Sequence, residues 1–131
     1  NPSIIACIVS EELVNDPQII SIIPRTKNLS IKYLWALLNS KLATFYHFNS
    51  SPKATKGAFP KILVEDINNF PLPTITKQQH KSIITVVEQT FLANQQGKDT
   101  TDFENQIDQM VYKLYDLTEE EIRIVEDRTN E

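Results

Sequence analysis

The chain has 131 residues, 40% of them hydrophobic and 23% charged, which allows one domain with a modest core. No apolar run nears the ~20 residues a spanning helix needs. The single cysteine, Cys7, excludes an internal disulfide and a cysteine-rich zinc cluster.

These bounds lead us to expect a soluble, cytoplasmic protein with no membrane partner. The one methionine is Met110, so the sequence reads as a piece of a longer chain. The net charge of −4 hides a division. From Pro17 to Val64 there are seven basic residues and no acid, whereas Ile83 to Glu131 holds four bases against twelve acids. Such asymmetry points to a polyanionic partner for the basic part.

In chain order, Ser3–Val9 is short, β-branched and apolar, and reads as a strand. Asn15-Asp16-Pro17 punctuates a turn, and Ile19–Pro24 reads as a second strand. The two are expected to pair as a hairpin or as a meander edge. Ser30 is placed to cap a helix running to about His47. Its apolar stripe is Ile31, Leu34, Trp35, Leu38, Leu42 and Phe45, with Ser40 and Thr44 nearer the back. Asn49 to Pro60 is a basic loop. Lys61–Val64 suggests a strand, Glu65 to Asn68 a turn or a single helical turn, and Phe70-Pro71-Leu72-Pro73 an extended exit.

The remainder is helical. Thr76 with Gln79 matches a capping box, and Gly97 marks a C-terminal stop. Phe103, Ile107, Met110, Val111 and Leu114 form a narrow seam on the next helix, so the two helices should pack as an antiparallel hairpin. Thr118 with Glu121 starts a short last helix. The expected fold is therefore α+β: a small mixed or antiparallel sheet with a packed helix, then the helical hairpin and the last helix. Residues 1–75 are expected to form an α+β region, and residues 76–131 a helical region packed on it.

Signals for catalysis are poor. His47 and His80 lie on different helices and read as exposed or helix-end residues. Cys7 reads as a buried, inert thiol. Glu119, Glu120 and Glu121 offset a helix dipole. Trp35, Phe45, Tyr112 and Tyr115 read as packing. Two isolated glycines make no phosphate loop. No catalytic or metal-binding residue is assigned.

The basic segment remains. Ordinary surfaces mix both signs of charge, and this one does not. Asn49, Ser50, Ser51 and Thr55 add short donors and acceptors suited to phosphate oxygens and base edges. Gly57 permits close backbone approach. With Lys53 and Lys56 in the loop, Lys61 at its end, and Arg25 and Lys27 after the second strand, Asn49, Ser50, Ser51 and Thr55 make up nine candidate contacts to a nucleic acid or another polyanion. The alternative is a solvated loop that only aids solubility.

Two motifs sharpen the reading. "YLWALLNSKLATFYHFN", the basic loop and then "KILVEDINNFPLP" resembles the TaqI-like C-terminal specificity domain of adenine-N6 DNA methyltransferases, above all of type IIG restriction–modification enzymes. It is also similar to target-recognition domains of type I specificity subunits. "IDQMVYKLYDLTEEEIRIVE", Ile107 to Glu126, looks like the C-terminal tail of the same enzymes. The resemblance implies a domain whose loops read double-stranded DNA across a cleft from a methyltransferase domain of the same parent chain. It implies S-adenosylmethionine, and in a cleaving parent Mg²⁺, in domains other than this one. The Asn-Pro-Pro-aromatic motif of the catalytic domain is missing, and Asn1-Pro2-Ser3 departs from it, so this chain itself is not expected to be an enzyme. The rival reading is a protein-interaction module in which the hairpin Thr76–Tyr115 docks on a partner of a DNA-modifying complex.

Overall fold

A computed structural model describes residues 3–10, 19–25, 29–50 and 63–129. Among the described residues six helices carry the fold: α1 (Ile31–Asn39), α2 (Lys41–Ser50), α3 (Val64–Asn68), α4 (Lys77–Gln95), α5 (Thr101–Leu114) and α6 (Glu119–Thr129). Among the described residues there is no strand and no sheet, which corrects the expected α+β class. The physical reason lies in how the N-terminal segment is paired. The Ile4 N–H donates to Thr44 Oγ1 at 3.1 Å. The Ala6 N–H donates to Asn39 Oδ1 at 3.0 Å, and Asn39 Nδ2 donates back to the Ala6 carbonyl at 3.1 Å. Helix side chains thus take the place of a neighbouring strand. Residues 3–10 keep the side-chain period of an extended chain, half-buried at Ile4, Ala6 and Ile8 and exposed between them. Residues 19–25 alternate in the same way. Cys7 falls on the exposed face, so the expected buried thiol is corrected too.

The helix expected to run from Ser30 to His47 is two. Ser30 caps α1 as anticipated, accepting from the Lys32 N–H at 3.2 Å. At Ser40 the backbone turns extended (φ −71°, ψ 153°). Its hydroxyl donates to the Leu37 carbonyl at 2.6 Å and accepts from the Ala43 N–H at 3.2 Å. One serine therefore closes α1 and opens α2. Across the break the Lys41 N–H donates to Asp108 Oδ1 of α5 at 2.9 Å, giving an orphan donor of the new helix a carboxylate partner. Ser40 and Thr44 are buried, not on the back of the helix as the stripe suggested.

The core joins Tyr33, Ala36 and Leu37 of α1 to Ile83, Val86 and Val87 of α4 and to Ile107 and Val111 of α5. Trp35 packs edge-on against Phe91 of α4, with ring centroids 4.8 Å apart. Large side chains such as these each gain about 1.5–3 kcal/mol from burial. The hairpin seam is thus consumed inside the molecule, against the rival in which it docks on a partner. On the other side α2 packs on α5 and α6. Tyr115 ties the exit segment down, donating to the Pro71 carbonyl at 2.6 Å.

The helix ends follow their local signals. Thr76 accepts from the Gln79 N–H at 3.1 Å while Gln79 accepts from the Thr76 N–H at 2.9 Å. Thr118 and Glu121 form the same reciprocal pair, and these bonds hold the Glu121 carboxyl below its ordinary range. α4 ends where Gly97 turns left-handed (φ 70°), with the Lys98 N–H reaching the Ala93 carbonyl at 2.9 Å. Asp116 takes the equivalent position after α5 (φ 54°), and the Leu117 N–H reaches the Tyr112 carbonyl at 3.1 Å.

Candidate nucleic-acid interface

α3 is a short helix with no buried residue, and it organises the surface on which the described candidates meet. Asp66 Oδ2 accepts from the Leu63 N–H at 2.8 Å and so steadies its start. The same oxygen lies 4.0 Å from His47 Nδ1 of α2. His47 is 5% exposed and sits edge-on to Phe48, so the exposed reading of this histidine is corrected, although it does stand near a helix end. Tyr46 and Phe70 meet edge-to-face, with centroids 5.5 Å apart. These contacts join the end of α2 to both ends of α3. Between them lies a cleft of about 220 Å³ lined by Ile4, Leu38, Tyr46, Ser50, Ile67 and Phe70, with His47, Asp66 and Asn69 as its other polar members.

A groove of about 760 Å³ also borders α3. Residues Ile20–Ile23 and Arg25 line it together with Val64, Ile67 and Asn68. Ile67 belongs to both depressions, so Arg25 and Ser50 each line a depression beside one short helix. Arg25, Asn49 and Ser50 are all exposed. Lys27, Ser51, Lys53, Thr55, Lys56 and Lys61 fall outside the described residues, and so does the strand expected at Lys61 and Ile62; Val64, its last residue, opens α3.

The geometry revises what two of these residues can offer. Asn49 Nδ2 donates to the Phe45 carbonyl at 2.7 Å, and the Ser50 hydroxyl donates to the Tyr46 carbonyl at 2.6 Å. Both bond back to a carbonyl one turn earlier in α2. The Ser50 proton and one of the two Asn49 amide protons are spent, which leaves one Asn49 N–H and the acceptor oxygens at the negative end of a helix. The remaining donor and acceptors suit base edges.

Two bases of the acid-free stretch do not join this surface. Lys32 Nζ pairs with Glu88 of α4 at 2.8 Å. Lys41 is held at the α2–α5 junction, where its backbone N–H meets Asp108. Sequence reasoning missed Ile19, Ile23 and Val64, exposed at 62%, 82% and 59% beside Arg25. The signal was present in Ile19–Arg25, where every second residue belongs to one face, but it was read there as half of a hairpin. Among the described residues no group of three or more His, Cys, Asp or Glu is arranged to hold a metal ion, and no helix is long and apolar enough to cross a membrane.

No curated protein and no solved structure matches the chain. The motif from Ile107 to Glu126 lies beyond the family match, which ends at residue 72 and takes in α1, α2, α3 and the segments before them. The model of the TaqI-like C-terminal specificity domain matches residues 1–72, more than half of the chain, and the chain therefore belongs to that family.

Proposed function

We propose that this chain is the part of a restriction–modification adenine-N6 DNA methyltransferase that reads the target sequence in double-stranded DNA and positions it for methylation, and where the parent cleaves, for cleavage, by other domains. The family match over residues 1–72 carries the reading. Specificity domains of this family recognise DNA and are not themselves the catalytic part. S-adenosylmethionine and its pocket then belong to a methyltransferase domain of the parent chain, which holds the other side of the duplex.

The division of labour follows from the chemistry of the surface. Arg25 stands exposed at the mouth of the α3 groove, with a planar fork of donors that fits guanine O6 and N7. Asn49 and Ser50 present acceptors that fit amino groups of adenine or cytosine. The loop lysines Lys53, Lys56 and Lys61, with Lys27, supply phosphate contacts that set affinity and register. The acidic faces of α5 and α6 turn away from the duplex.

The test is duplex binding across a salt series for the chain and for the double variant Lys53→Ala/Lys56→Ala. If about four phosphates are neutralised, log K falls against log salt with a slope near −4, and the double variant shallows it by about 2. An unchanged slope with an unchanged affinity would remove the loop from the interface. Absence of any saturable duplex binding at low salt, in the chain joined to its methyltransferase domain, would remove the reading itself.

A further inference from the structure

Residues 19–25 carry no helix, and their exposure alternates strictly: Ile19, Ser21, Ile23 and Arg25 face solvent, while Ile20, Ile22 and Pro24 are half-buried. Ile20 to Ile23 and Arg25 all line the groove against α3, with Ile20 and Ile22 half-buried in it and Ser21, Ile23 and Arg25 exposed. The exposed side is chemically ordered along the chain as an aliphatic, a hydroxyl, an aliphatic and a guanidinium. Ile19 and Ile23 are exposed at 62% and 82%, which leaves their side chains open to a partner.

An extended chain advances about 3.3–3.4 Å per residue, so side chains on one face repeat every ~6.7 Å. B-DNA rises about 3.4 Å per base pair along one strand, and two steps cover the same distance. Over a short stretch, neighbouring side chains of such a row can therefore reach base pairs about two steps apart. Its groups match what the major groove displays. Arginine pairs bidentately with guanine, serine accepts either edge, and an aliphatic side chain contacts the 5-methyl group of thymine. A single positive charge with no acid nearby on the segment suits a polyanion.

We propose that Ile19, Ser21, Ile23 and Arg25 are a base-reading row, with Arg25 on a guanine and Ile23 on the methyl group of a thymine about two base pairs away. The proposal rests on the DNA-recognition reading above and deepens it by naming the bases. It also gives the uncharged members of the segment a function that charge alone would not reveal.

The probe is a randomised duplex pool selected on the chain joined to its methyltransferase domain, followed by binding to the selected duplex with single-base changes. Replacing the thymine by uracil deletes one methyl group and should weaken binding about fourfold. In Ile23→Ser the same replacement should have no effect. Arg25→Ala should lose the preference for guanine over 7-deazaguanine, roughly 5- to 150-fold. The uracil change perturbs only the DNA, so it reports even if a protein variant folds poorly. Saturable duplex binding that ignores the uracil change, or that keeps its sensitivity in Ile23→Ser, overturns this inference and leaves DNA recognition standing. Loss of self-association in Ile23→Ser, with base selectivity unchanged, would assign the row to a protein contact and overturn it as well. No saturable binding at all overturns both.

Discussion

Asp108 offers the sharpest probe of how the two halves of the sequence are joined. It is 7% exposed, and Oδ1 accepts from the Lys41 N–H at the first turn of α2. Burial pushes its carboxyl above the ordinary aspartate range; the Lys41 N–H and charge oppose this, and Glu126 and Glu104 add to it. Two substitutions separate the hydrogen bond from the charge. Asp108→Ala removes the acceptor and leaves the Lys41 N–H without its partner, a loss of roughly 1–3 kcal/mol. At about 4 °C per kcal/mol for a chain of this size, Tm should fall by roughly 4–12 °C. Asp108→Asn keeps an oxygen for the bond and removes the buried charge, so at neutral pH it should be neutral or stabilising. The pH dependence has a definite sign. Because the folded-state pKa is raised, the contribution of the native carboxyl is fully present below the ordinary pKa. It is lost as pH rises through the raised value. The asparagine variant should therefore compare best with the wild type near neutrality and lose ground on acidification. Thermal melts of the three proteins between about pH 4 and pH 7 decide the matter. If Asp108→Asn costs as much as Asp108→Ala at neutral pH, the charge itself is needed and the burial argument is wrong.

Other expectations follow from single contacts. Asn39→Ala removes both bonds to Ala6 and one to the Trp35 carbonyl, and should speed proteolysis and hydrogen exchange at residues 3–10; unchanged protection there would show that apolar contacts alone hold the segment. Burial pushes the Tyr33 phenol up to about 12, so stability should be kept up to about pH 10 and drain away between there and about 12. Absorbance titration of the wild type and of Tyr33→Phe would reveal whether that late-titrating phenol is Tyr33. Cys7, exposed on an extended segment, should react with a thiol reagent in the native protein as fast as it does after unfolding; slow native reaction would place it inside after all. Thr76→Ala breaks the capping box of α4 at a cost of about 1 kcal/mol, seen as a drop of about 4 °C in Tm.

Local signals were legible without a structure. Ser30, Thr76, Thr118 and Gly97 act within four residues of themselves, so their chemistry could be read directly and the structure places each as expected. The hairpin seam was legible for a similar reason, since a helix period is a property of one segment. What could not be read were relations between distant segments. The β-branched runs at Ser3–Val9 and Ile19–Pro24 have strand character, but a sheet needs a ladder partner, and Asn39 and Thr44 supply the pairing for the first instead. Ser40 looked like one more polar residue on a helix. The carboxylate that meets the new helix's first turn is Asp108, 67 positions away from Lys41 in the chain. The burial of His47 and the exposure of Cys7 were misjudged for the same reason, because neighbours in space decide both.

The chain by its own pattern determined where α4 begins and stops, where α1 and α6 begin, which stripe of α5 seeks the core, and that the basic and acidic parts are separated. These depend on contacts within about one or two helical turns. Only tertiary structure decided that helix side chains pair with the first segment in place of a strand, and that Arg25 and Ser50 each line a depression beside α3. It also decided that Lys32 pairs with Glu88 of α4 and that the Lys41 N–H meets Asp108 of α5. Each of those outcomes is a pairing between groups far apart in sequence, and free energy from such a pairing exists only once the fold has brought them together.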